Sequence, residues 1–344
     1  MTQTIGYIGS YTKKDGKGIY RFVLDETVKQ IVRVETGYEV PASTYVVQHG
    51  AFLYGIKKEN DQAGVAAYKI GEEGALELIN DCLESAESGC HISVSADGRY
   101  LFEAVYGAAE ARLYRLNTET GAIEELINVV VQEGAGPNED RQDKAHTHFI
   151  TPTPDNQYAV AVDLGADEII TFSYGEEGLK REQTLEVPAG TGPRHLVFNQ
   201  NRRYAYVLTE LSNEVFVLEY NDGHFKLIEQ HLAIPADFTH NTQGAAIRMS
   251  HDNKFVYASN RGHQSIAVFK VKEDGASLSL VEITDCGGDW PRDFNISNDD
   301  KFLVCAHEVS GNLVLFERDI ESGKLTMLED SKKAAEGVCV QFLQ

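Results

Sequence analysis

The sequence predicts an all-β protein, a seven-bladed β-propeller whose four-stranded antiparallel blades fill residues 1–344 as a single domain. Three observations predict this fold: a repeated segment, the period of the repeat, and a C-terminal strand that completes the first repeat. Helical periodicity is almost absent, and short alternating runs separated by Gly, Asp and Asn fill the chain.

The repeated segment is a polar turn followed by an aromatic residue and an alternating run. Its five copies are SADGRYLFEAVY (95–106), TPDNQYAVAVDL (153–164), NQNRRYAYVLTEL (199–211), SHDNKFVYASNR (250–261) and SNDDKFLVCAHE (297–308). Successive aromatic residues are 58, 46, 51 and 47 positions apart, and Phe52 and Ile5 extend the series towards the N-terminus. A period of about 40–50 residues with several short strands is typical of propeller blades. The period therefore predicts seven units.

An apolar strand precedes each turn and is expected to be the innermost strand of its blade. These strands are STYVVQ (43–48), CHISVS (90–95), THFITP (147–152), RHLVFN (194–199), AAIRMS (245–250) and RDFNIS (292–297). The first unit begins at TIGYIG without such a strand, whereas GVCVQFL (337–343) remains unassigned at the other end. We therefore expect the C-terminal strand to join the N-terminal blade and close the ring, which removes an exposed sheet edge.

Composition limits the classes of partner. The net charge of −22 argues against binding to nucleic acid and to anionic membranes. The chain shows no long apolar run, no basic leader and no CxxC pair among its five cysteines, so we expect a cytoplasmic protein with reduced thiols, several of them in strands. In such an acidic chain, a local cluster of Arg and His is informative. The oligomeric state stays open.

A count back from each turn places ionisable residues at one rim of the ring. Seven positions before the turn stand His148, Arg194 and Arg292, and the second strand of each blade ends at the same rim. The residues expected there are His148, Arg194, Glu210, Arg261, Arg292, His307 and Glu308. The count assumes that no blade contains a bulge. Arg261 or Arg292 could instead pair with Glu210 or Glu308 as a contact between blades.

Three local patterns carry further expectations. The segment 131–148 is longer than its counterparts and carries Arg141, Asp143 and Lys144, so it is either a substrate rim or a mobile loop without a role. His146 and His148 form an H-x-H pair, but no third ligand has suggestive spacing, so we expect no metal and no cofactor. The pairs Lys13–Lys14 and Lys57–Lys58 are expected in solvated loops.

Five motifs match one enzyme family: YIGSYT (7–12), AHTHF (145–149), GTGPRHLVFNQNRRYAYVLTEL (190–211), YASNRGHQSIAVF (257–269) and WPRDFNIS (290–297). With them the chain resembles the seven-bladed propeller lactonases, the 6-phosphogluconolactonase family that also includes fungal carboxymuconate-lactonizing enzymes. The resemblance implies hydrolysis of 6-phosphogluconolactone to 6-phosphogluconate in the pentose phosphate pathway. It also implies that Arg194, Glu210, Arg261 and a histidine of AHTH, either His146 or His148, are site residues; the count from the turn favours His148.

Residue types suggest roles for this chemistry. Arg194 would stabilise the oxyanion that forms when water attacks the lactone carbonyl, and Glu210 or His148 would take the proton. Arg261 and Arg292 would hold a phosphate. The remaining residues expected to bind a small anionic sugar lactone are His146, His307 and Glu308. No Ser-His-Asp signature is present in the sequence.

Two alternatives to lactone hydrolysis remain. The same arginines could serve a carboxymuconate-type enzyme that forms or isomerises a lactone on a dicarboxylate. The propeller could also bind a ligand or a protein without catalysis, because the fold hosts many functions. A dicarboxylate needs cationic sites at both ends of the cavity, and a protein-binding propeller should show an apolar exposed face.

Overall fold

A computed structural model of the chain describes residues 3–344. Over this range the backbone forms 28 strands in seven four-stranded antiparallel sheets, with two short 3-10 turns at Glu72–Gly74 and Glu273–Gly275. The predicted all-β, seven-bladed architecture is therefore confirmed.

The strands follow one another with short connections, as expected for a meander in each blade. In chain order, the first eleven are β1 (Gln3–Ser10), β2 (Gly18–Asp25), β3 (Gln30–Glu39), β4 (Val46–His49), β5 (Phe52–Glu59), β6 (Gln62–Ile70), β7 (Leu76–Ser85), β8 (His91–Val94), β9 (Tyr100–Val105), β10 (Glu110–Leu116) and β11 (Ile123–Val131). The next are β12 (Thr147–Pro152), β13 (Tyr158–Asp163), β14 (Glu168–Gly175), β15 (Gly178–Glu186), β16 (Pro193–Phe198), β17 (Tyr204–Thr209), β18 (Glu214–Asn221) and β19 (His224–Leu232). The last are β20 (Gln243–Met249), β21 (Phe255–Arg261), β22 (Ser265–Lys272), β23 (Ser277–Asp285), β24 (Pro291–Ile296), β25 (Phe302–His307), β26 (Asn312–Arg318), β27 (Leu325–Lys333) and β28 (Gly337–Phe342).

Blade 1 is closed by the C-terminal strand. Its order from the inside outwards is β28, β1, β2, β3, and Ile8 pairs with Val340 across the closure. Blades 2 to 7 take four consecutive strands each, from β4–β7 to β24–β27. The prediction that the two ends of the chain share one blade is confirmed.

The repeated turn has a common hydrogen-bond pattern that explains its sequence. In blade 7, the Ser297 hydroxyl donates to Asp299 at 2.6 Å and accepts from the backbone N–H of Phe302 at 3.0 Å. The turns that begin at Ser95, Thr153 and Ser250 repeat both bonds. A small hydroxyl residue and an Asp two positions later thus stabilise the turn in these four blades, whereas blade 5 has Asn199 and Asn201 at the same positions.

The core lies between neighbouring blades. Phe255 and Tyr257 of blade 6 pack against Phe294 and Phe316 of blade 7 in one buried cluster. Six such buried clusters lie between neighbouring blades in the described part of the chain. Each blade is therefore held by its neighbours, as in other repeat folds.

The innermost strands contain bulges, which the sequence count did not anticipate. In blade 5, Pro193 pairs with Thr209 and His195 pairs with Leu208, so Arg194 has no partner in the ladder. The same irregularity leaves one extra residue at His148 in β12, at Arg292 in β24, at Val338 in β28 and within Gly244–Ile247 in β20. A bulge frees one side chain from the alternation of the strand. The assumption that no blade contains a bulge is therefore wrong. Three of the bulges fall at His148, Arg194 and Arg292, which the sequence analysis expected at the rim.

Two smaller expectations are also tested. Lys57 and Lys58 lie inside β5, where Glu59 pairs with Gln62 across a tight hairpin, so the expectation of a loop at these two residues is wrong. All five cysteines are free thiols. Within residues 3–344, none of the helical segments has the length and apolarity needed to cross a membrane.

Candidate active site

A cavity of about 620 Å³ opens at the bulged end of the inner strands. All seven blades contribute to its wall. In blade order, the contributing residues include Tyr11 and Val338, Tyr45, Cys90, His148, Arg194, Arg261 and Arg292. The bulges turn His148, Arg194, Arg292 and Val338 towards the shared opening, because each is the extra residue of its strand. Tyr45 and Cys90 come from blades whose inner strands have no bulge.

The cavity is electropositive although the chain is strongly acidic. Its wall carries six cationic and two anionic side chains, a formal excess of four positive charges, in a chain of net charge −22. The cations are Lys13, Lys58, Arg141, Arg194, Arg261 and Arg292; the carboxylates are Glu87 and Glu210. Such a site attracts small anions that the rest of the surface repels.

Glu210 organises the deepest part of the cavity. It follows β17 directly, and its Oε2 accepts hydrogen bonds from Arg194 Nε at 2.9 Å and Arg261 Nη2 at 2.6 Å. Its Oε1 accepts a bond from Arg141, which the loop between β11 and β12 supplies. Burial alone would raise the pKa of Glu210, but the charges of Arg261 and Arg194 outweigh it and hold the pKa well below its usual value. Glu210 is therefore ionised.

Backbone carbonyls in the bulge of blade 6 fix the two buried arginines. Arg194 Nη1 donates to the carbonyl of Ala245, and Arg261 Nη2 donates to the carbonyl of Gly244 at 2.8 Å. A Cβ on Gly244 would lie 2.2 Å from the carbonyl oxygen of Thr209, so only glycine fits there. Burial, followed by the charges of Arg292 and Arg261, lowers the pKa of Arg194 to about 9, and the side chain is still a cation at neutral pH.

His148 presents an uncommitted ring nitrogen beside these cations. Its side chain is buried, and within residues 3–344 its Nδ1 has no hydrogen-bond partner. Burial and then the charge of Arg194 hold the pKa of His148 well below its usual value. The ring centroid lies 5.2 Å from that of His195 and 5.7 Å from that of Tyr106. His148 is therefore a neutral imidazole that can accept a proton.

Arg292 is held more loosely than Arg194 and Arg261. Its Nη1 lies 3.5 Å from Glu308 Oε2, and its Nη2 donates to the Tyr11 hydroxyl at 3.4 Å. Burial opposes the charged form of Arg292, but Tyr11 and Glu308 together raise its pKa. Arg292 therefore faces the cavity as a permanent cation with donors available to a ligand.

Five of the seven residues expected at the rim line the cavity: His148, Arg194, Glu210, Arg261 and Arg292. Glu308 touches the cavity only through Arg292. His307 points the other way, because it precedes Glu308 by one residue in an alternating strand; its Nδ1 lies 3.2 Å from the Asn312 carbonyl. The expectation that His307 reaches the opening is wrong.

His146 lies behind the wall of the cavity. Its ring stacks on Tyr106 with 4.1 Å between centroids, and its Nε2 lies 2.9 Å from Asp143 Oδ1. The two histidines of AHTH are thus separated by the bulge, with His148 in the cavity and His146 bracing the loop that carries Arg141. Lys144 donates to the carbonyl of Gly107 and braces the same loop.

Several cavity residues were missed by the reasoning from sequence. They include Tyr11, Lys13, Lys58, Cys90, Tyr106 and His195. His195 follows Arg194 in the GPRH motif, and its place in that motif was the one available signal. The count from the turn reaches Cys90, seven positions before Asp97, and Tyr106, six after Tyr100, but neither was put forward as a site residue. Tyr11, Lys13 and Lys58 depend on which way the ends of strands turn, and the sequence pattern does not encode that direction.

Residues 5–342 match the family described as "Lactonase, 7-bladed beta-propeller". The chain belongs to this lactonase family. An uncharacterized protein of Staphylococcus saprophyticus is 52% identical over 344 residues, which cover 99% of each chain.

Two solved structures resemble the chain over nearly its whole length. A candidate 6-phosphogluconolactonase from Bacteroides fragilis has a TM-score of 0.90 and 29% identity, with 99% of this chain and 98% of that chain covered. The periplasmic gluconolactonase of Pseudomonas aeruginosa has a TM-score of 0.91 and 25% identity, with 100% and 99% covered. Family membership and these neighbours support a hydrolase that opens lactones.

Proposed function

We propose that the protein hydrolyses a phosphorylated sugar lactone, 6-phosphogluconolactone, to the open-chain acid 6-phosphogluconate. The observation that carries the proposal is the cavity with four excess positive charges in a chain of net charge −22. A neutral buried histidine stands in the same cavity. The name of the neighbour from Bacteroides fragilis supports the same substrate, and the name of the neighbour from Pseudomonas aeruginosa supports a sugar lactone.

His148 acts as the general base in this proposal. A water molecule attacks the lactone carbonyl carbon and passes its proton to the imidazole of His148, which lines the cavity. The C–O bond of the lactone ring then breaks, and the ring oxygen takes this proton from His148 to become a hydroxyl. The product is the carboxylic acid, which ionises.

Arg194 stabilises the oxyanion of the tetrahedral intermediate. With Nε committed to Glu210 and Nη1 to the carbonyl of Ala245, Nη2 is the donor left for the substrate. These two bonds fix the guanidinium before the substrate arrives, so little reorganisation is needed during the reaction. A fixed cation in a buried site is worth more than the same cation in water.

Glu210 has a positioning role in this scheme. Its two carboxylate oxygens are engaged by three guanidinium groups, and its pKa lies well below the usual value because the charges of the arginines outweigh burial. Such a carboxylate is a poor acceptor for a proton from water. Between the two bases that the sequence left open, the contacts favour His148.

We also propose a cytoplasmic location. All five cysteines are free, and free thiols persist most readily in a reducing compartment. The neighbour from Pseudomonas aeruginosa is named as periplasmic, so the proposed location rests on the cysteines of this chain and not on the name of a relative. Cell fractionation with an antibody against the chain tests this location, and recovery of the protein outside the cytoplasmic fraction would contradict it.

Replacement of Arg194 tests the catalytic proposal. We expect Arg194→Ala to lower kcat for 6-phosphogluconolactone by at least about 100-fold, the usual cost of one oxyanion donor. The assay uses freshly prepared lactone and subtracts its spontaneous opening. Arg202→Ala, an exposed arginine in the turn of the same blade, is the matched control and should keep full activity.

Three outcomes would each contradict part of this proposal. Full activity of Arg194→Ala would remove this residue from the mechanism. A wild-type protein that opens neither 6-phosphogluconolactone nor the plain sugar lactone, but acts on a carboxymuconate lactone, would favour the isomerising alternative. Activity on none of these lactones would favour a binding propeller.

A further inference from the structure

The six cations of the cavity fall into two groups with different partners. Arg141, Arg194 and Arg261 all contact Glu210. Among the described residues 3–344, no carboxylate oxygen lies within 4.0 Å of the Lys13 or Lys58 ammonium group, and the contact of Arg292 with Glu308 spans 3.5 Å. The cations of the first group thus share the carboxylate of Glu210, whereas those of the second group have no carboxylate partner closer than 3.5 Å in the described chain and keep their charge for a ligand.

The second group comes together from three blades. Lys13 follows β1 in blade 1, Lys58 lies near the end of β5 in blade 2, and Arg292 is the bulged residue of β24 in blade 7. All three line the same cavity. The closure of the ring by β28 is what makes blade 1 a neighbour of blade 7, so the group exists only in the closed propeller.

Tyr11 holds two of these cations near each other. The Lys13 ammonium lies 3.6 Å from the centroid of the Tyr11 ring, and the Arg292 guanidinium lies 6.0 Å from the same centroid. The Tyr11 hydroxyl also accepts the bond from Arg292 Nη2. Like charges held this close repel one another, and a bound anion would remove that cost.

We infer that Tyr11, Lys13, Lys58 and Arg292 form a subsite for the phosphate dianion of the substrate, apart from the Glu210 cluster at which the lactone opens. The inference rests on the proposed function and specifies which part of the cavity binds the phosphate. Three cations are sufficient to balance a phosphate dianion, and they supply the guanidinium fork of Arg292 and two ammonium groups. Arg261 is unsuited to this task, because Glu210 and the Gly244 carbonyl already engage its Nη2 and its side chain is buried.

Lysine-to-methionine substitutions test the subsite, because methionine keeps the unbranched stem and removes the charge. For Lys13→Met and for Lys58→Met we expect the ratio of kcat/KM for 6-phosphogluconolactone to kcat/KM for unphosphorylated gluconolactone to fall at least about fivefold, through KM. The double variant should lose the preference for the phosphorylated lactone. Lys14→Met is the matched control: Lys14 is the exposed neighbour of Lys13 and lies outside the cavity wall, so the ratio should not change.

Calorimetric titration supplies a readout that does not depend on turnover. Wild-type protein should bind inorganic phosphate and 6-phosphogluconate more tightly than gluconate, and Lys13→Met should weaken the first two selectively. Equal loss of affinity for gluconate would instead indicate a site for any carboxylate and would overturn the phosphate assignment. Circular dichroism of each variant checks that the propeller is intact.

The outcomes separate this inference from the proposed function. If the wild type opens both lactones and Lys13→Met changes both rates equally, lactone hydrolysis stands and the phosphate subsite falls. If the wild type opens neither lactone but its binding of phosphate depends on Lys13 and Lys58, the subsite stands and hydrolysis falls. If Lys14→Met acts like Lys13→Met, the effect is a general one of charge and the subsite is refuted.

Discussion

At the scale of single residues, Glu210 determines how the cavity is arranged. One buried carboxylate receives three guanidinium groups that come from a loop and from two blades. Without it, Arg194 and Arg261 would be buried cations that repel each other. The ion pairs between blades that the sequence allowed are therefore present, and they shape the site that we propose for catalysis.

Replacement of Glu210 tests this role. Glu210→Gln leaves buried cations unpaired, and we expect the free energy of unfolding to fall by about 3–5 kcal/mol. Activity should fall as well, because Arg194 loses one of its two anchors. Urea denaturation measures the change, with Glu214→Gln in the same blade as control, since no ion pair of Glu214 occurs within the described chain. An unchanged midpoint would contradict the positioning role.

The pH dependence of the rate reports on His148. The active form in our scheme is the neutral imidazole, and burial followed by the charge of Arg194 holds the pKa of His148 well below 6.5. The rate therefore stays constant as the pH falls through 6.5 and is lost only at more acidic pH, where the ring gains its proton. We expect kcat/KM, corrected for spontaneous opening, to show this late acid limb.

Substitution of an exposed histidine is the control for this prediction. His224 is exposed in the hairpin of blade 5, and His224→Gln should leave both the rate and the profile unchanged. His148→Gln should abolish the enzymatic rate. An acid limb centred near 6.5 in the wild type would show that the base has an ordinary environment, and the assignment of His148 would fail.

At the scale of elements, the side chain of Gln142 helps to hold the loop between β11 and β12. The buried side chain of Gln142 donates from Nε2 to the Leu164 carbonyl at 2.9 Å and accepts from the Asn138 N–H at 3.3 Å. The neighbouring residue, Arg141, reaches Glu210. Of the two interpretations that the sequence allowed for this segment, the geometry favours the one that includes it in the rim.

Truncation of Gln142 should loosen this loop. In Gln142→Ala the two bonds are lost, and we expect a glutamate-specific protease to cut faster at Glu133 and Glu139 while the rate of lactone opening falls. Mass spectrometry of a limited digest locates the cuts. Gln157→Ala, in the exposed turn after β12, is the control. If digestion at these sites does not change, the loop is held by other contacts.

The elements also show why the sequence predicted one part of the site and missed another. The repeated turn specifies its own hydrogen bonds, so the positions of β9, β13, β21 and β25 follow from the residues themselves. A bulge leaves no trace in the pattern, because the extra residue can be His, Arg or Val. The count still located His148 and Arg194, since every copy was measured from the same turn and most copies carry the same bulge.

At the scale of the whole molecule, the ring depends on the strand that closes it. The side chains of Cys339, Val340 and Phe342 in β28 are almost completely buried. Removal of residues 337–344 would expose the edge of β1 and open the core between blades 1 and 7. We expect this deletion to lower the melting temperature sharply and to produce aggregates on size-exclusion chromatography.

A shorter deletion provides the comparison. Removal of Gln344 alone leaves β28 intact, and the protein should elute and melt as the full chain does. If the long deletion also behaves like the full chain, closure by β28 does not stabilise the propeller. The sequence predicted this closure, because a ring is the arrangement in which an incomplete first blade and an unassigned last strand complete each other.

The bulges also bear on how such a protein can acquire new activities. Arg194 and Val338 occupy corresponding bulges in two blades, yet one is a cation and the other is apolar. Since neither residue belongs to a paired register, either can be exchanged without altering the strands beside it. Evolution, or an enzyme engineer, can therefore vary the reaction chemistry blade by blade while the scaffold and its folding are inherited unchanged.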